Sequence, residues 1–153
     1  MRHKEKEMSG IIVGVDGSGH SQRALEWAMR EAAVRQVPLT VLTVSEAVRG
    51  YYSSMAVFPD DTARTEEARQ LAQAETDKVL AGLDEPRPAS VTVKAVHGFP
   101  VEEIISAAKD ADMIVVGSRG AGGFTRLMMG SVADQVTKHA HCPILVVPPD
   151  NRG

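Results

Sequence analysis

Five short apolar runs rich in β-branched residues punctuate the chain, and between them lie longer stretches whose apolar residues recur every three or four positions. The runs are IIVGV (Ile11 to Val15), LTVLTV (Leu39 to Val44), VTVKAV (Val91 to Val96), MIVV (Met113 to Val116) and ILVV (Ile144 to Val147). This alternation constrains the fold more than any single motif, because parallel strands need a crossover connection and a helix is the usual crossover. The expected class is α/β, a doubly wound open five-stranded parallel sheet with helices on both faces. Right-handed crossovers leave few strand orders. VTVKAV alternates apolar and polar residues and carries Lys94, as a half-exposed edge strand does, whereas IIVGV and MIVV are apolar throughout and belong in the middle. The order 3-2-1-4-5 satisfies both requirements.

The helices follow from the same pattern. Ala24, Leu25, Ala28, Ala32 and Ala33 mark the first, with Ser18 or Ser21 as its cap. The second runs from about Asp61 to Leu83, with Ala68, Leu71, Ala72, Val79 and Leu83 as its apolar stripe. Pro100 suits the first position of the third helix, where a missing N–H costs nothing, and that helix is expected to turn Ile104, Ile105 and Ala108 inward and to end near Asp112. The fourth begins after Gly130, contains Val132, Ala133, Val136 and Ala140, and stops where Pro143 cannot continue it.

With 153 residues, 43% of them hydrophobic and 24% charged, the chain can bury one sizeable core. One domain is expected over residues 9–149, with a disordered leader at 1–8 and a tail at 150–153. A net charge of -3 provides no basic field, so nucleic acid is not an expected partner. No apolar run is long enough to cross a bilayer, and the opening MRHKEKEMSG lacks the apolar stretch of a secretory signal. A cytoplasmic protein without a membrane partner is the expectation. Cys142 is the single cysteine, which rules out an intrachain disulfide and reads as a small buried hydrophobe.

In the order 3-2-1-4-5, strands one and four are neighbours where the winding reverses, and ligands of such sheets bind beyond the carboxyl ends of those strands. VDGSGHS follows strand one there, and GSRGAGG follows strand four. Gly117, Gly120 and Gly130 stand as G-x-x-G-x9-G, with Ser131 next and the fourth helix beginning. Glycine permits close approach and positive φ, so Gly117 and Gly120 can let amides turn toward an anion. The helix start at Gly130 and Ser131 offers unpaired N–H groups and a positive dipole end. Together these can cradle a polyphosphate; the competing reading is a surface loop with turn glycines. A Walker loop is rejected because the chain has no Gly-Lys-Ser/Thr, and a dinucleotide fingerprint because Thr125 stands where it needs glycine.

Strand ILVV is as apolar as a central strand although the order places it at an edge. An exposed edge of that kind invites pairing. A homodimer through Ile144 to Val147 is expected, with Pro143, Pro148 and Pro149 limiting how far the pairing extends; the alternative is cover by the tail or a helix.

IIVGVDGS, HGFPVEEII, MIVVGSRGAGGFTRLMMGSV and CPILVV together resemble the universal stress protein family over nearly the whole chain. The G-x-x-G-x9-G-S spacing is similar to that of the family's ATP-binding branch. The resemblance implies a nucleotide-binding domain that holds ATP, dimerises through its last strand and acts in stress response or metabolic regulation. It places Asp16 on the ribose hydroxyls, with Gly14 and Val15 close by. It puts Val44 against adenine and Val116 and Gly117 along the nucleoside. Arg119, Gly120, Gly130, Ser131, Val132 and Ala133 match the phosphate-side positions, although Ala133 departs from the hydroxyl residue often found there. Asp16 also suits a turn or cap in DGS, and Val44 also suits plain core. A divalent ion such as Mg2+ accompanying the phosphates would be coordinated mainly by phosphate and water, since no cluster of protein ligands is visible.

Other candidates are weaker. His139, His141 and Cys142 lack a clear fourth ligand for a metal. His20 lies near a helix start, where a phosphate contact competes with a solvent-facing role. Leu127, Met128 and Met129 read as core that plugs the loop onto the domain. The long connection SEAVRGYYSSMAVFPDD, with Tyr51, Tyr52 and Phe58, is either a lid or a disordered segment. Neither a triad nor a carboxylate pair can be assembled near the phosphates, so no catalytic residue is assigned. The expectation is a nucleotide-dependent regulatory module with at most slow ATP hydrolysis. A slow ATPase or phosphotransfer enzyme, a dimerisation module that binds no nucleotide, and a cyclic AMP binder remain as alternatives.

Overall fold

The computed structural model describes residues 10–47, 61–119 and 129–150. Nine elements alternate along the chain: β1 (Ile11–Val15), α1 (Gly19–Arg35), β2 (Pro38–Glu46), α2 (Asp61–Ala81), β3 (Ser90–Gly98), α3 (Pro100–Ala107), β4 (Met113–Gly117), α4 (Ser131–His139) and β5 (Ile144–Val147). The strands form one parallel sheet in the order β3-β2-β1-β4-β5, as expected. The expected leader at 1–8, Tyr51, Tyr52 and Phe58, Gly120, Leu127, Met128 and the end of the tail all lie outside the described residues.

Alternation along the strands sorts the core into two layers. Ile11, Val13, Leu39, Val41 and Val115 pack with α1 and α2 on one face. Ile12, Leu42, Ile114 and Val116 pack with α3 and α4 on the other. Edge strand β3 is nowhere fully buried and exposes Lys94, whereas central β1 and β4 are buried almost throughout. At the opposite edge, Ile144, Leu145 and Val146 of β5 are only partly buried.

Local chemistry sets the helix limits. Ser18 caps α1, its side chain accepting from the Ser21 amide at 3.2 Å. The helix ends at Gln36, whose φ of 54° lies in the left-handed region. α2 departs from the expected stripe: Ala72 and Thr76 are buried while Leu71 is 62% exposed. The apolar face is centred on Ala68, Ala72, Thr76 and Val79, roughly 100° around the helix from Leu71. Thr76 is tolerated inside because its hydroxyl donates to the Ala72 carbonyl at 2.7 Å.

α3 is shorter than expected, ending at Ala107 rather than near Asp112. Asp112 is committed elsewhere, since its amide donates to the Gly10 carbonyl at 2.8 Å and its carboxylate accepts from the Gly10 amide at 3.1 Å. That exchange extends the β1–β4 pairing by one step and draws the chain out of the helix. Of the inward residues, Ile104 and Ala108 are buried and Ile105 only partly so. Among the described residues no helix is long and apolar enough to cross a membrane.

Candidate functional site

The carboxyl ends of β1, β2 and β4 open on a cleft of about 530 Å³, within the usual range for small-molecule sites. Eleven of the twelve residues expected at a nucleotide site line it, and the twelfth, Gly120, lies outside the described residues. Gly14, Val15 and Asp16 come from the end of β1, Val44 from β2, and Val116 and Gly117 from β4. Arg119 follows β4, and Gly130, Ser131, Val132 and Ala133 form the start of α4.

The two glycines at the strand ends leave room for different things. A Cβ built on Gly14 would meet Ile104 Cδ1 at 3.1 Å and Val116 Cγ1 at 3.7 Å, so Gly14 forms part of the cleft floor. A Cβ on Gly117 would lie 3.2 Å from the carbonyl oxygens of both His20 and Arg119. Gly117 does not adopt positive φ; among the described glycines that conformation belongs to Gly10 and Gly17. Its small size instead admits the first turn of α1 against the end of β4. Gly17, with φ of 82°, makes the sharp turn between β1 and α1.

Asp16 stands on that turn. Its Oδ1 accepts from the Ser18 amide at 2.9 Å and its own amide donates to Ser21 Oγ at 3.2 Å. The turn role and a ligand role are compatible, because a carboxylate accepts more than one hydrogen bond. On the α2 side, burial and the negative charge of Asp16 push the Glu75 carboxyl above its ordinary range, with Lys78 opposing. Among the described residues, Glu75 Oε2 is out of solvent and without a hydrogen-bond partner.

At the other end, the Gly130 amide is already used, donating to the Ser118 carbonyl at 2.6 Å. This bond pins the helix start to the end of β4. The Gly130 carbonyl accepts the first helical bond, from the Asp134 amide at 2.9 Å, and among the described residues no side chain caps the helix. Ser131, Val132 and Ala133 therefore present the amides of a helix N-terminus to the cleft. The dipole end and Arg119 make this side electropositive, while Asp16 and Glu46 make the β1–β2 side electronegative.

Further cleft residues were not foreseen in the sequence. Ser21, Leu42, Thr43, Glu46, Ala68, Pro100 and Ile104 also line it. Leu42 and Glu46 share a strand face with Val44 by the two-residue period, a signal the sequence does contain. Ala68 arrives from α2 across a long connection, and nothing local announces it.

Several weaker candidates fall elsewhere. His20 lines a separate shallow depression with Arg23 and Asp150, which form an ion pair at 3.3 Å. His139 ends α4 and His141 lies beyond it. Among the described residues no three His, Cys, Asp or Glu side chains gather as a metal site. Cys142 is half-buried rather than fully buried, and desolvation pushes its thiol above its ordinary range. Met129 is 40% exposed rather than core.

Residues 8–148 match the model of the universal stress protein family. The universal stress protein Rv2005c of Mycobacterium tuberculosis is 31% identical over 150 residues, which is 97% of this chain and 50% of that protein. The chain thus spans about half the length of the curated relatives it matches. Among solved structures, universal stress protein UspA from Lactobacillus plantarum is 25% identical with a TM-score of 0.75, covering 92% of this chain and 98% of that one. A universal stress protein solved in complex with cAMP is 25% identical with a TM-score of 0.57, covering 90% of this chain and 94% of that one. The family match over the whole described sheet, together with the strand order and the cleft at its winding reversal, establishes that this chain belongs to the universal stress protein family.

Proposed function

We propose that the cleft binds an adenine nucleotide, ATP foremost, and that the domain works as a nucleotide-dependent regulatory module in stress response. The observation that carries this reading is the charge layout of one cleft. A helix N-terminus and Arg119 suit phosphates, and Asp16 on the neighbouring strand suits a sugar diol. Val44 offers an apolar surface to a base. The phosphates are taken by the amides of Ser131, Val132 and Ala133, because that of Gly130 is spent on Ser118. Gly120 belongs to the same proposed site on its spacing alone. Mg2+ would enter with the phosphates and be held mainly by them and by water.

Asp16 sits at the sugar end, away from any phosphate that would be cleaved, so the reading includes no catalytic residue and at most slow hydrolysis. Cyclic AMP is a second ligand of the same site, favoured by the related structure solved with cAMP. The partly exposed edge of β5 supports a homodimer through Ile144 to Val147. Isothermal titration with ATP and with cyclic AMP tests the nucleotide reading: saturation at one nucleotide per chain is expected. Absence of saturable binding of either at millimolar concentration would overturn it.

A further inference from the structure

The geometry points to Glu46 as the residue that selects the base, its carboxylate accepting from the 6-amino group of adenine. This rests on the nucleotide reading of the cleft and names a contact beyond it. The phosphate-side amides follow β4, Asp16 ends β1, and Val44 lies on β2, so the strand order β4-β1-β2 lays out phosphate, sugar and base in sequence. A base on Val44 has its far edge at the outer end of β2. Glu46 is the last residue of that strand, two positions beyond Val44 and therefore on the same face, and it lines the same cleft.

The strand end is held there. Glu46 pairs in register with Gly98 of β3, and the amide of Ala47 donates to the Gly98 carbonyl at 2.8 Å, one residue past Glu46. Gly98 projects no side chain that could compete for the position. The space a Cβ would fill there is taken by Glu103, whose Oε1 would lie 2.6 Å from it. The Glu46 residue is exposed, and among the described residues its side chain makes no hydrogen bond or ion pair. An ionised carboxylate is an acceptor only, so it rewards an N–H donor on the base edge and gains nothing from a bare ring edge.

The test is a cycle of four affinities. ATP and purine ribonucleoside triphosphate, which lacks the 6-amino group, are titrated into the wild-type chain and into Glu46→Ala. Removing the amino group is expected to weaken wild-type binding about tenfold. Glu46→Ala should weaken ATP by a similar factor and then bind the two nucleotides equally. Glu46→Gln, which keeps one acceptor oxygen, should fall between. Loss of the amino group costing the same factor in wild type and in Glu46→Ala would overturn the assignment while leaving the nucleotide reading intact. Failure of the wild-type chain to bind ATP at all would overturn both, so the two failures are distinguishable.

Discussion

Replacing Gly117 with alanine probes how the cleft is built. The added methyl carbon would lie 3.2 Å from two backbone carbonyl oxygens, those of His20 and Arg119. Such a contact is tighter than ordinary van der Waals separation, and neither oxygen sits on a flexible side chain that can swing away. Relief requires moving the first turn of α1 or the chain after β4, and overpacking of this kind costs about 1–3 kcal/mol. Alanine also stiffens the unfolded chain, which returns about 0.4–1 kcal/mol where φ is compatible, as it is here. With each effect at the middle of its range, the net expectation is a loss of about 1 kcal/mol, or a Tm lower by about 2–4 °C for a domain of this size. Thermal and urea denaturation without nucleotide measure it. Gly14→Ala is the internal comparison, since its methyl would press mainly on the movable Ile104 Cδ1. That variant should change stability by less than about 1 kcal/mol while weakening nucleotide binding at the cleft floor. Unchanged stability in Gly117→Ala would refute the view that this glycine is there for close packing.

Other perturbations separate the fold from the site. Gly10→Ala combines a φ of 76° with a Cβ driven onto the Pro38 carbonyl, and should destabilise by more than Gly117→Ala in the same denaturation assay. Ser18→Ala removes the α1 cap and should cost about 1 kcal/mol in urea melts, with the sheet intact by circular dichroism. For Glu75 the carboxyl is raised in the folded state, so folding favours its protonated form. Its contribution is fully present below the ordinary glutamate range and is lost as pH rises through the folded value. Glu75→Gln should therefore be more stable than wild type at pH 7, with the difference shrinking as pH falls through the raised folded value and gone below about 4.5, measured by denaturation across pH. If the β5 edge pairs with a second copy, sedimentation at micromolar concentration shows a dimer that Val146→Lys converts to monomer; a wild-type monomer would sink that proposal.

The sheet was legible in the sequence because strand burial leaves a compositional trace. Lys94 and the alternation around it marked one edge, and the unbroken apolar runs of β1 and β4 marked the centre. The position of the cleft then followed from topology alone. What stayed hidden depends on contacts between distant segments. Leu71 fits a helical period as well as Thr76 does, and only packing decides which way the helix is turned. Gly117 was legible as a residue that must be small, but the His20 and Arg119 carbonyls that a side chain there would meet appear only once the chain is folded. The Gly130 amide has no partner that the sequence reveals and is bonded to Ser118, which moves the free donors of the helix start one residue along the chain. Glu46 is an acidic residue at a strand end and carries no motif, so its place beside Val44 appears only in the folded cleft.

The most direct test of the central claim is the amide spectrum of isotope-labelled protein during titration with ATP. Binding in the cleft predicts that the signals of Asp16, Val44, Ser131, Val132 and Ala133 shift together with one dissociation constant. The signals of Ile105 and Gln135, in the groove between α3 and α4, should stay in place. Shifts confined to residues outside the cleft, or none at saturating ATP, would contradict the account.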